Sequence, residues 1–433
     1  MKLLSIAITL VGSLHVGICV VNAAEPAKES VVVSTGQVDE NLTSFDRLMT
    51  EFMSKHDIPG ASLAVTKDGR LVYARGYGYA DVEAKRKVQP QSLFRIASIS
   101  KPITAVAILQ LVERKKLSLD DRVADVLRGT PPFKGTKKIA PQFAKVTIRQ
   151  LLQHTGGWDR GVSFDPMFRL VDIAKTFEVP SPAKIEHIIR YMKPRPLDFT
   201  PGERFAYSNF GYCLLGRVIE NVSGKSYETH VKQRVLAPVG IRSMQLGKTP
   251  LAGRARNEVR YYAAKNRTGK SILAKDAGNT VPLPYGVWDL GVMDSHGGWI
   301  ASAVDLAKFA SAFDDPSDSP LLKRESIETM FKRPPGKAGQ EADGTAKGTY
   351  YGCGWMVRPV GENGLGNHWH TGSLDGTSTI LVRRHDGLNW VVLFNRRAGY
   401  RTKHVASTID PLVHKAADAV TNWPKRNLFS RYR

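Results

Sequence analysis

The amino-acid sequence predicts an α/β fold in which strands from both ends of the chain form one sheet around an inserted, mostly helical block. Three observations support this: a hairpin pattern near the N-terminus, a second one near the C-terminus, and helical periodicity between them. Strands separated by a long helical stretch are typical of a sheet domain that carries a helical insertion. We expect the sheet domain at residues 43–101 and 290–420, the helical domain at 102–289, and the active site in the cleft between them.

The N-terminus has the pattern of a secretory signal peptide. Lys2 precedes an apolar stretch over residues 3–21, and small residues follow up to Ala24. A basic start, an apolar middle and small residues at the end are typical of export signals. We expect cleavage after Ala24 and a periplasmic or extracellular protein without a membrane span. An uncleaved anchor is the alternative, and lipid attachment at Cys19 fits less well because Ile18 stands where a small residue is expected.

Composition indicates a globular protein with a basic surface. Of the 433 residues, 42% are apolar and 24% are charged, which excludes a mostly disordered chain, a collagen-like repeat and a multi-span membrane protein. The net charge of +22 suggests an anionic neighbour, but the basic residues are spread out, with no run longer than Lys85-Arg86-Lys87. Cys213 and Cys353 are the only cysteines beyond the predicted signal, and we expect both to be buried free thiols.

Local patterns predict the elements in order. The polar residues 25–42 are expected to be a flexible lead-in, and Asp68-Gly69 is a tight-turn signal between two strands. Thr147 and Gln150 form a capping box that begins a short helix. The other predicted elements are a helix at 45–56, strands at 62–66 and 71–79, a helix at 211–222, long loops at 251–285 and 333–348, strands at 379–383 and 389–395, a helix at 402–420 and a tail at 421–433.

Ser98-Ile99-Ser100-Lys101 is the first candidate for catalytic chemistry. Residues three apart share a face of a helix, so Lys101 is expected beside the hydroxyl of Ser98. A buried lysine with a lowered pKa can act as the base that activates a serine nucleophile. Ser181 and Lys184 have the same spacing, but Ser181-Pro182 is typical of a helix N-cap followed by proline at the first helical position.

Two further motifs complete the candidate site. Tyr207-Ser208-Asn209 offers a phenol whose pKa a nearby lysine can lower, and an amide that can bind substrate or orient that lysine. His370-Thr371-Gly372 precedes Ser373 and an apolar strand, so it can present a strand edge to a substrate backbone. A rival motif, His154-Thr155-Gly156, follows a short helix and is interpreted as a helix stop.

The sequence excludes or disfavours other common types of catalytic site. It has no complete G-x-S-x-G elbow, no phosphate-binding G-x-x-x-x-G-K-[ST] loop and no H-E-x-x-H zinc helix. His368 and His370 share one face of a strand, but no third ligand lies nearby in the sequence. We therefore expect neither a metal nor a cofactor.

The ordered trio S-x-x-K, Y-x-N and H-T-G resembles the penicillin-recognising serine hydrolases. The resemblance is strongest to class C β-lactamases, D-alanyl-D-alanine carboxypeptidases and family VIII esterases, and it extends from about residue 43 to about residue 415. It implies a β-lactamase/transpeptidase-like fold with an antiparallel sheet flanked by helices. Carried over, the catalytic residues are Ser98, Lys101 and Tyr207, while Asn209 and the 370–373 segment bind substrate, with the backbone N–H groups of Ser98 and Ser373 as the oxyanion hole.

One departure from the family affects the expected substrate. Class C β-lactamases usually have lysine where this chain has His370, and a mostly neutral histidine is a poorer cation for a penicillin carboxylate. We expect His370 to face the cleft, and its titration to make the choice of carboxylate-bearing substrates depend on pH. A peptidase or esterase acting on a small molecule or short peptide, such as a peptidoglycan fragment, is therefore favoured over a β-lactamase.

Two functions of other classes remain as alternatives. A catalytically idle penicillin- or wall-binding module would not need Ser98, Lys101 and Tyr207 together. A basic wall- or nucleic-acid-binding protein is disfavoured because the sequence has no arginine-rich or aromatic-interleaved segment, so no nucleic-acid partner is expected.

Overall fold

An antiparallel sheet to which both ends of the chain contribute lies at the centre of the structure. The computed structural model describes residues 32–134, 138–361, 365–397 and 405–432, all within one compact unit, Val32–Arg433. The predicted signal peptide, residues 1–24, lies outside the described residues, so export stays a prediction. Among the described helices, none has the length and apolar character that crossing a bilayer requires.

The strands of the described part fall into one large sheet and two small ones. The large sheet has nine strands there, in the order β1-β3-β2-β14-β13-β12-β11-β10 with β4 on β3, while β5-β9-β6 and β7-β8 form the small sheets. The strands are β1 (Ser34–Gly36), β2 (Gly60–Lys67), β3 (Arg70–Asp81), β4 (Arg86–Lys87), β5 (Phe94–Arg95), β6 (Gln245–Leu246), β7 (Thr268–Lys270), β8 (Thr280–Pro282), β9 (Trp299–Ala301), β10 (Tyr350–Tyr351), β11 (Met356–Pro359), β12 (Gly366–Leu374), β13 (Thr377–Arg383) and β14 (Leu388–Phe394).

Helices cover both faces of the large sheet, and most of them lie between β5 and β9 in the sequence. In the described residues they are α1 (Thr43–His56), α2 (Ser100–Glu113), α3 (Val123–Val126), α4 (Ile148–Leu152), α5 (Leu170–Thr176), α6 (Ile185–Met192), α7 (Asn209–Ser223), α8 (Tyr227–Val231), α9 (Asp294–Gly297), α10 (Ala303–Ser311), α11 (Arg324–Phe331) and α12 (Val405–Asp418). The predicted antiparallel sheet with flanking helices is confirmed.

Side-chain alternation along the central strands divides the interior into two cores. On β14, Trp390 and Val392 pack against α1 and α12, whereas Val391 and Leu393 face the larger core around α2. Successive side chains of a strand point to opposite faces, so a strand covered on both sides is apolar throughout. The helix α2 is itself buried on nearly all sides, which fixes it firmly in the larger core.

Several local predictions are confirmed. Asp68 and Gly69 both have positive φ, of 49° and 72°, and join β2 to β3 in a tight hairpin. The capping box of Thr147 and Gln150 begins α4, as predicted. Cys213 and Cys353 are buried and free.

Three local predictions are wrong. The end of the supposed flexible lead-in forms β1, whose residues 34–36 pair with β3, because an edge strand satisfies backbone groups without requiring apolar side chains. Ser181 does not cap a helix: α6 begins at Ile185, and the Ser181 hydroxyl donates to the carbonyl of Ile272. The predicted loop at 251–285 contains the β7-β8 hairpin and short 3-10 turns.

The sheet makes its closest approach to the serine-bearing segment at Gly372 of β12. A side chain at this position would collide with the carbonyl oxygen of Ile96 and the hydroxyl of Thr379. The Thr379 hydroxyl also donates to Ile96 at 3.0 Å. Glycine therefore allows β12 to lie directly against the turn that carries Ser98.

Replacing Gly372 with alanine tests this close approach. The added methyl group has no space, so Gly372→Ala should destabilise the fold by about 1–3 kcal/mol and slow any reaction at Ser98. Gly348→Ala is the matched control because open space surrounds that position. Denaturant unfolding of both variants measures the effect, and equal stability of the two would contradict the packing argument.

Candidate active site

Ser98 lies on a strained turn at the entrance to α2. It belongs to the 3-10 turn Ala97–Ile99, in which Ala97 has a φ of 47°, an unfavourable value for a residue with a side chain. Its side chain lines a cavity of about 650 Å³. The surrounding packing thus holds the hydroxyl of Ser98 in a fixed position at the cavity wall.

Lys101 follows one helical turn later and is completely buried. Its Nζ atom lies 3.2 Å from the Ser98 Oγ, 2.8 Å from the Asn209 Oδ1 and 2.9 Å from the carbonyl oxygen of His296. The structure therefore brings together the first two predicted residues with Asn209, and adds the backbone of α9 as a third contact of the amine.

These three contacts define what the amine can do. The oxygens of Asn209 and His296 only accept hydrogen bonds, so each takes one N–H of Lys101. Burial lowers the pKa of Lys101 well below its ordinary value, although the carboxylate of Asp165 opposes this shift. The neutral amine then has its lone pair in the remaining direction, toward the Ser98 hydroxyl. Lys101 is consequently placed to receive the proton of Ser98.

Asp165 fixes the amide that holds the lysine. The Asn209 Nδ2 donates to the Asp165 Oδ2 at 2.7 Å, so the amide oxygen must face Lys101. Burial raises the pKa of Asp165, and the hydrogen bonds from Asn209 and the Met167 backbone partly offset that rise. Sequence reasoning missed Asp165, because nothing in its local pattern separates it from a helix-capping aspartate.

Tyr207 reaches the Ser98 hydroxyl from the other side. Its phenol hydrogen-bonds the side chain of Ser98, and the Lys101 Nζ lies 4.7 Å from its ring centre. Burial raises the pKa of Tyr207 above its ordinary value, whereas the sequence predicted a lowered one. That prediction is wrong because burial disfavours the charged phenolate and outweighs the lowering by the Ser98 hydrogen bond and by Arg160. Tyr207 therefore holds its proton at neutral pH.

His370 lines the same cavity but is a neutral residue. Its Nδ1 donates to the Thr371 carbonyl at 2.7 Å, and its Nε2 accepts from the Tyr351 hydroxyl at 2.9 Å. Burial, followed by the nearby Lys101, lowers the pKa of His370 to about 3. The predicted pH switch is therefore wrong, because a ring with so low a pKa is uncharged at neutral pH.

The rest of the third motif forms the cavity wall. Thr371 and Ser373 line the cavity, and the Ser373 hydroxyl has no hydrogen-bond partner among the described residues. The strand β11 begins at Met356, opposite Trp369, so its pairing with β12 covers only residues 366–369. In the described part of the sheet, residues 370–374 thus present a free edge to the cavity, to which an extended substrate backbone can bind.

Two aromatic residues that the sequence did not mark as site residues support the catalytic side chains. His154 follows α4, as a helix stop should, but its ring also lies 4.3 Å from that of Tyr207, and its Nδ1 accepts from the Ser208 backbone. Burial lowers the pKa of His154 well below its ordinary value. Tyr351 packs against His154 and bonds His370. Their contacts come from distant parts of the chain, which a local pattern does not reveal.

The rival candidates do not form a second site. Ser181 is held by the Ile272 carbonyl and does not line the catalytic cavity. His368 stacks on Phe331 with 3.6 Å between ring centres. Within the described ranges, no group of three or more histidine, cysteine, aspartate or glutamate residues is placed to hold a metal ion.

Comparisons with known proteins place this geometry in context. A family model described as Beta-lactamase matches residues 45–412. Protein flp of Staphylococcus aureus (strain N315) is 26% identical over 391 residues, which are 90% of this chain and 70% of that protein. Penicillin-binding protein 4* of Bacillus subtilis (strain 168) is 29% identical over 338 residues, 77% of this chain and 66% of that protein.

A solved structure is similar over most of the chain. The octameric penicillin-binding protein homologue from Pyrococcus abyssi superposes with a TM-score of 0.63 at 28% sequence identity. The match covers 82% of this chain and 73% of that one. The similarity therefore extends over most of the chain.

The shared contact with Ser98 predicts that Lys101 and Tyr207 act as a unit. Lys101→Ala and Tyr207→Phe should each slow acylation of Ser98 strongly, and the double variant should lose less than the product of the two factors. Stopped-flow measurements give the acylation rates of the wild type, the two single variants and the double variant, which together form a double-mutant cycle. Fully multiplicative losses would show that the two residues do not move the same proton.

The environment of Lys101 predicts a shift of the pH profile. The neutral amine is the active form, so kcat/KM should rise as pH increases through the pKa of Lys101. Asp165 raises that pKa, so the isosteric Asp165→Asn should move the acidic limb of the profile of kcat/KM against pH to lower pH. Asp159→Asn, on the same loop, is the control and should leave the limb in place. A limb that stays fixed in Asp165→Asn would mean that another group controls it.

Proposed function

Because the chain belongs to the β-lactamase/transpeptidase-like family of serine hydrolases, as the sequence predicted, we propose that it forms an acyl-enzyme on Ser98 and hydrolyses a small amide or ester. The observation that carries this proposal is the arrangement around Lys101. Two of its hydrogen-bonding directions are occupied by acceptors, and the third meets the Ser98 hydroxyl.

In the first step, the Ser98 Oγ attacks the carbonyl carbon of the substrate. A C–O bond forms, the proton of Ser98 passes to Lys101, and the carbonyl electron pair moves onto the oxygen. The backbone N–H groups of Ser98 and Ser373 stabilise this oxyanion, as in the family. The tetrahedral intermediate then expels the leaving group and becomes the acyl-enzyme.

Lys101 and Tyr207, which flank the Ser98 hydroxyl, share the proton transfers. Tyr207 retains its proton at neutral pH, so it can donate to the departing nitrogen or oxygen and be reprotonated from Lys101. In deacylation the same groups act in reverse order: Tyr207 and Lys101 take a proton from a water molecule as its oxygen bonds to the acyl carbon. The bond between that carbon and the Ser98 oxygen then breaks, the proton passes to the Ser98 oxygen, and the carboxylic acid product leaves. The serine is thereby regenerated for the next turnover.

The cavity favours a peptidase or esterase over a true β-lactamase. The neutral His370 offers no fixed charge where β-lactamases of class C carry a lysine for the penicillin carboxylate. The guanidinium of Arg160 instead lines the cavity, 4.9 Å from the Tyr207 ring centre. It forms no ion pair with a described carboxylate, so it can accept the carboxylate of a short peptide.

A D-alanyl-D-alanine-type peptide satisfies these features together. Its backbone can add to the free edge at residues 370–374, and its terminal carboxylate can bind Arg160. The cavity of about 650 Å³ is large enough for a substrate of this size. The names of the similar penicillin-binding proteins agree with this substrate class. Export by the predicted signal peptide, which would bring the enzyme to cell-wall fragments, is part of the same proposal.

A substrate panel with a nucleophile variant tests the proposal. The wild type should hydrolyse a short p-nitrophenyl ester and a D-Ala-D-Ala peptide with higher kcat/KM than nitrocefin. Ser98→Ala removes one hydroxyl and should lower each rate on the order of 10⁴-fold. Ser181→Ala is the matched control and should keep wild-type rates on every substrate.

Three results would overturn the proposal. Near-wild-type turnover by Ser98→Ala would mean that Ser98 is not the nucleophile. Nitrocefin turnover faster than both other substrates would mean that the neutral His370 does not weaken β-lactam hydrolysis. The absence of any turnover by the wild type would favour the idle binding module.

A further inference from the structure

A second and larger cavity lies apart from the catalytic one. It is a groove of about 1210 Å³ between the β3–β4 connection and the start of α10. Its lining residues and those of the catalytic cavity do not overlap. Leu93 in the groove is five residues from Ser98, so their Cα atoms are at most about 18 Å apart. The groove is thus a separate site on the same part of the molecule.

The groove concentrates positive charge that the catalytic site does not use. Lys85, Arg86 and Lys87 line one side, and Arg242 and Lys308 line the other. They include all of Lys85-Arg86-Lys87, and no basic run in the sequence is longer. No ion pair joins any of the five to a carboxylate in the described part of the chain; Arg86 and Lys308 contact backbone carbonyls instead. A polyanion that enters the groove would therefore meet positive charges that no carboxylate of the described residues already pairs.

The acidic content of the groove does not neutralise this charge. Asp305 provides its only carboxylate among the described lining residues. That carboxylate accepts hydrogen bonds from the hydroxyls of Ser243 and Ser302, and Ser302 caps α10. Asp305 therefore already has hydrogen-bond donors at the start of α10. With five basic residues and one carboxylate, the groove lining has an excess of four positive charges.

The uncharged lining indicates what kind of anion fits. Gln89, Gln91 and Asn257 contribute amide groups, which hydrogen-bond hydroxyl groups well. Tyr432 is the single aromatic residue in the described lining, so there is no platform for stacking a series of bases. The exposed large apolar side chains of the described residues, such as Val82, lie outside the groove, which disfavours a membrane surface.

We propose that this groove binds a segment of a hydroxylated polyanion, a sugar or polyol chain that carries phosphate or carboxylate groups at intervals. The cations on the two walls pair with successive anionic groups, and the amides bond the hydroxyls between them. The groove exceeds the usual volume of a small-molecule pocket, which suits several units of a chain. The site is independent of the reaction at Ser98.

Direct binding of defined polymers tests the groove. The probes are fluorescently labelled poly(glycerol phosphate) and oligogalacturonate of matched length, with neutral dextran, single-stranded oligothymidylate and anionic phosphatidylglycerol vesicles as comparisons. Anisotropy titrations at 50 and 200 mM salt should show binding of one or both hydroxylated polyanions, weakened about tenfold or more by the higher salt. The stronger of the two identifies phosphate or carboxylate as the recognised group.

A charge-matched pair of variants separates the groove from the general basicity of the chain. Lys85→Gln, Lys87→Gln and Arg242→Gln together should weaken binding at least tenfold. Lys265→Gln, Lys275→Gln and Lys337→Gln together remove the same charge from exposed sites outside the groove and should change affinity less than twofold. Thermal unfolding of both triple variants establishes that they are folded.

Each other outcome overturns the proposal. Equal losses in the two triple variants would assign binding to the net charge of +22 rather than to the groove. Absence of binding to both hydroxylated polyanions, or tighter binding to oligothymidylate or vesicles, would exclude this ligand class. None of these outcomes affects the proposal for Ser98, which rests on hydrolysis.

Discussion

The burial of a single amine, Lys101, is the constraint around which the site is built. A lysine in the interior is unfavourable as a cation, so burial lowers its pKa. The acceptors on Asn209 and His296 orient the neutral amine. They bind its two N–H groups and thereby direct its lone pair at Ser98. Asp165 limits how far the pKa of Lys101 falls. Its carboxylate orients the amide of Asn209 but also favours the charged form of the amine.

The fold supplies what this arrangement requires. The helix α2 is buried along almost its whole length and follows directly on the turn that carries Ser98, so packing holds Lys101 close to Ser98. The α7 and α9 helices bring the two acceptors, and β12 closes the other side at Gly372. Because β11 begins only opposite Trp369, the next residues of β12 leave a strand edge open at the cavity in the described part of the sheet. The groups of the site thus come from segments distant in sequence that the packed core holds together.

Sequence patterns predicted the central hairpins, the ordered motifs and the family, because each depends on local spacing or turn chemistry. They did not predict the protonation of Tyr207 and His370, since those pKa values follow from burial among residues distant in sequence. The supporting roles of Asp165 and His154 were missed for the same reason. The β1 strand was taken for a flexible segment because a short polar edge strand has no periodic apolar signal.

Mass analysis of a covalent adduct tests the central claim most directly. The protein is incubated with a fluorophosphonate, its intact mass is measured, and the modified peptide is sequenced. The account predicts one adduct per chain, on Ser98, with a rate of labelling that rises as pH increases through the pKa of Lys101. An unlabelled protein, or an adduct on a different residue such as Ser181, would contradict the assignment of Ser98 as the nucleophile.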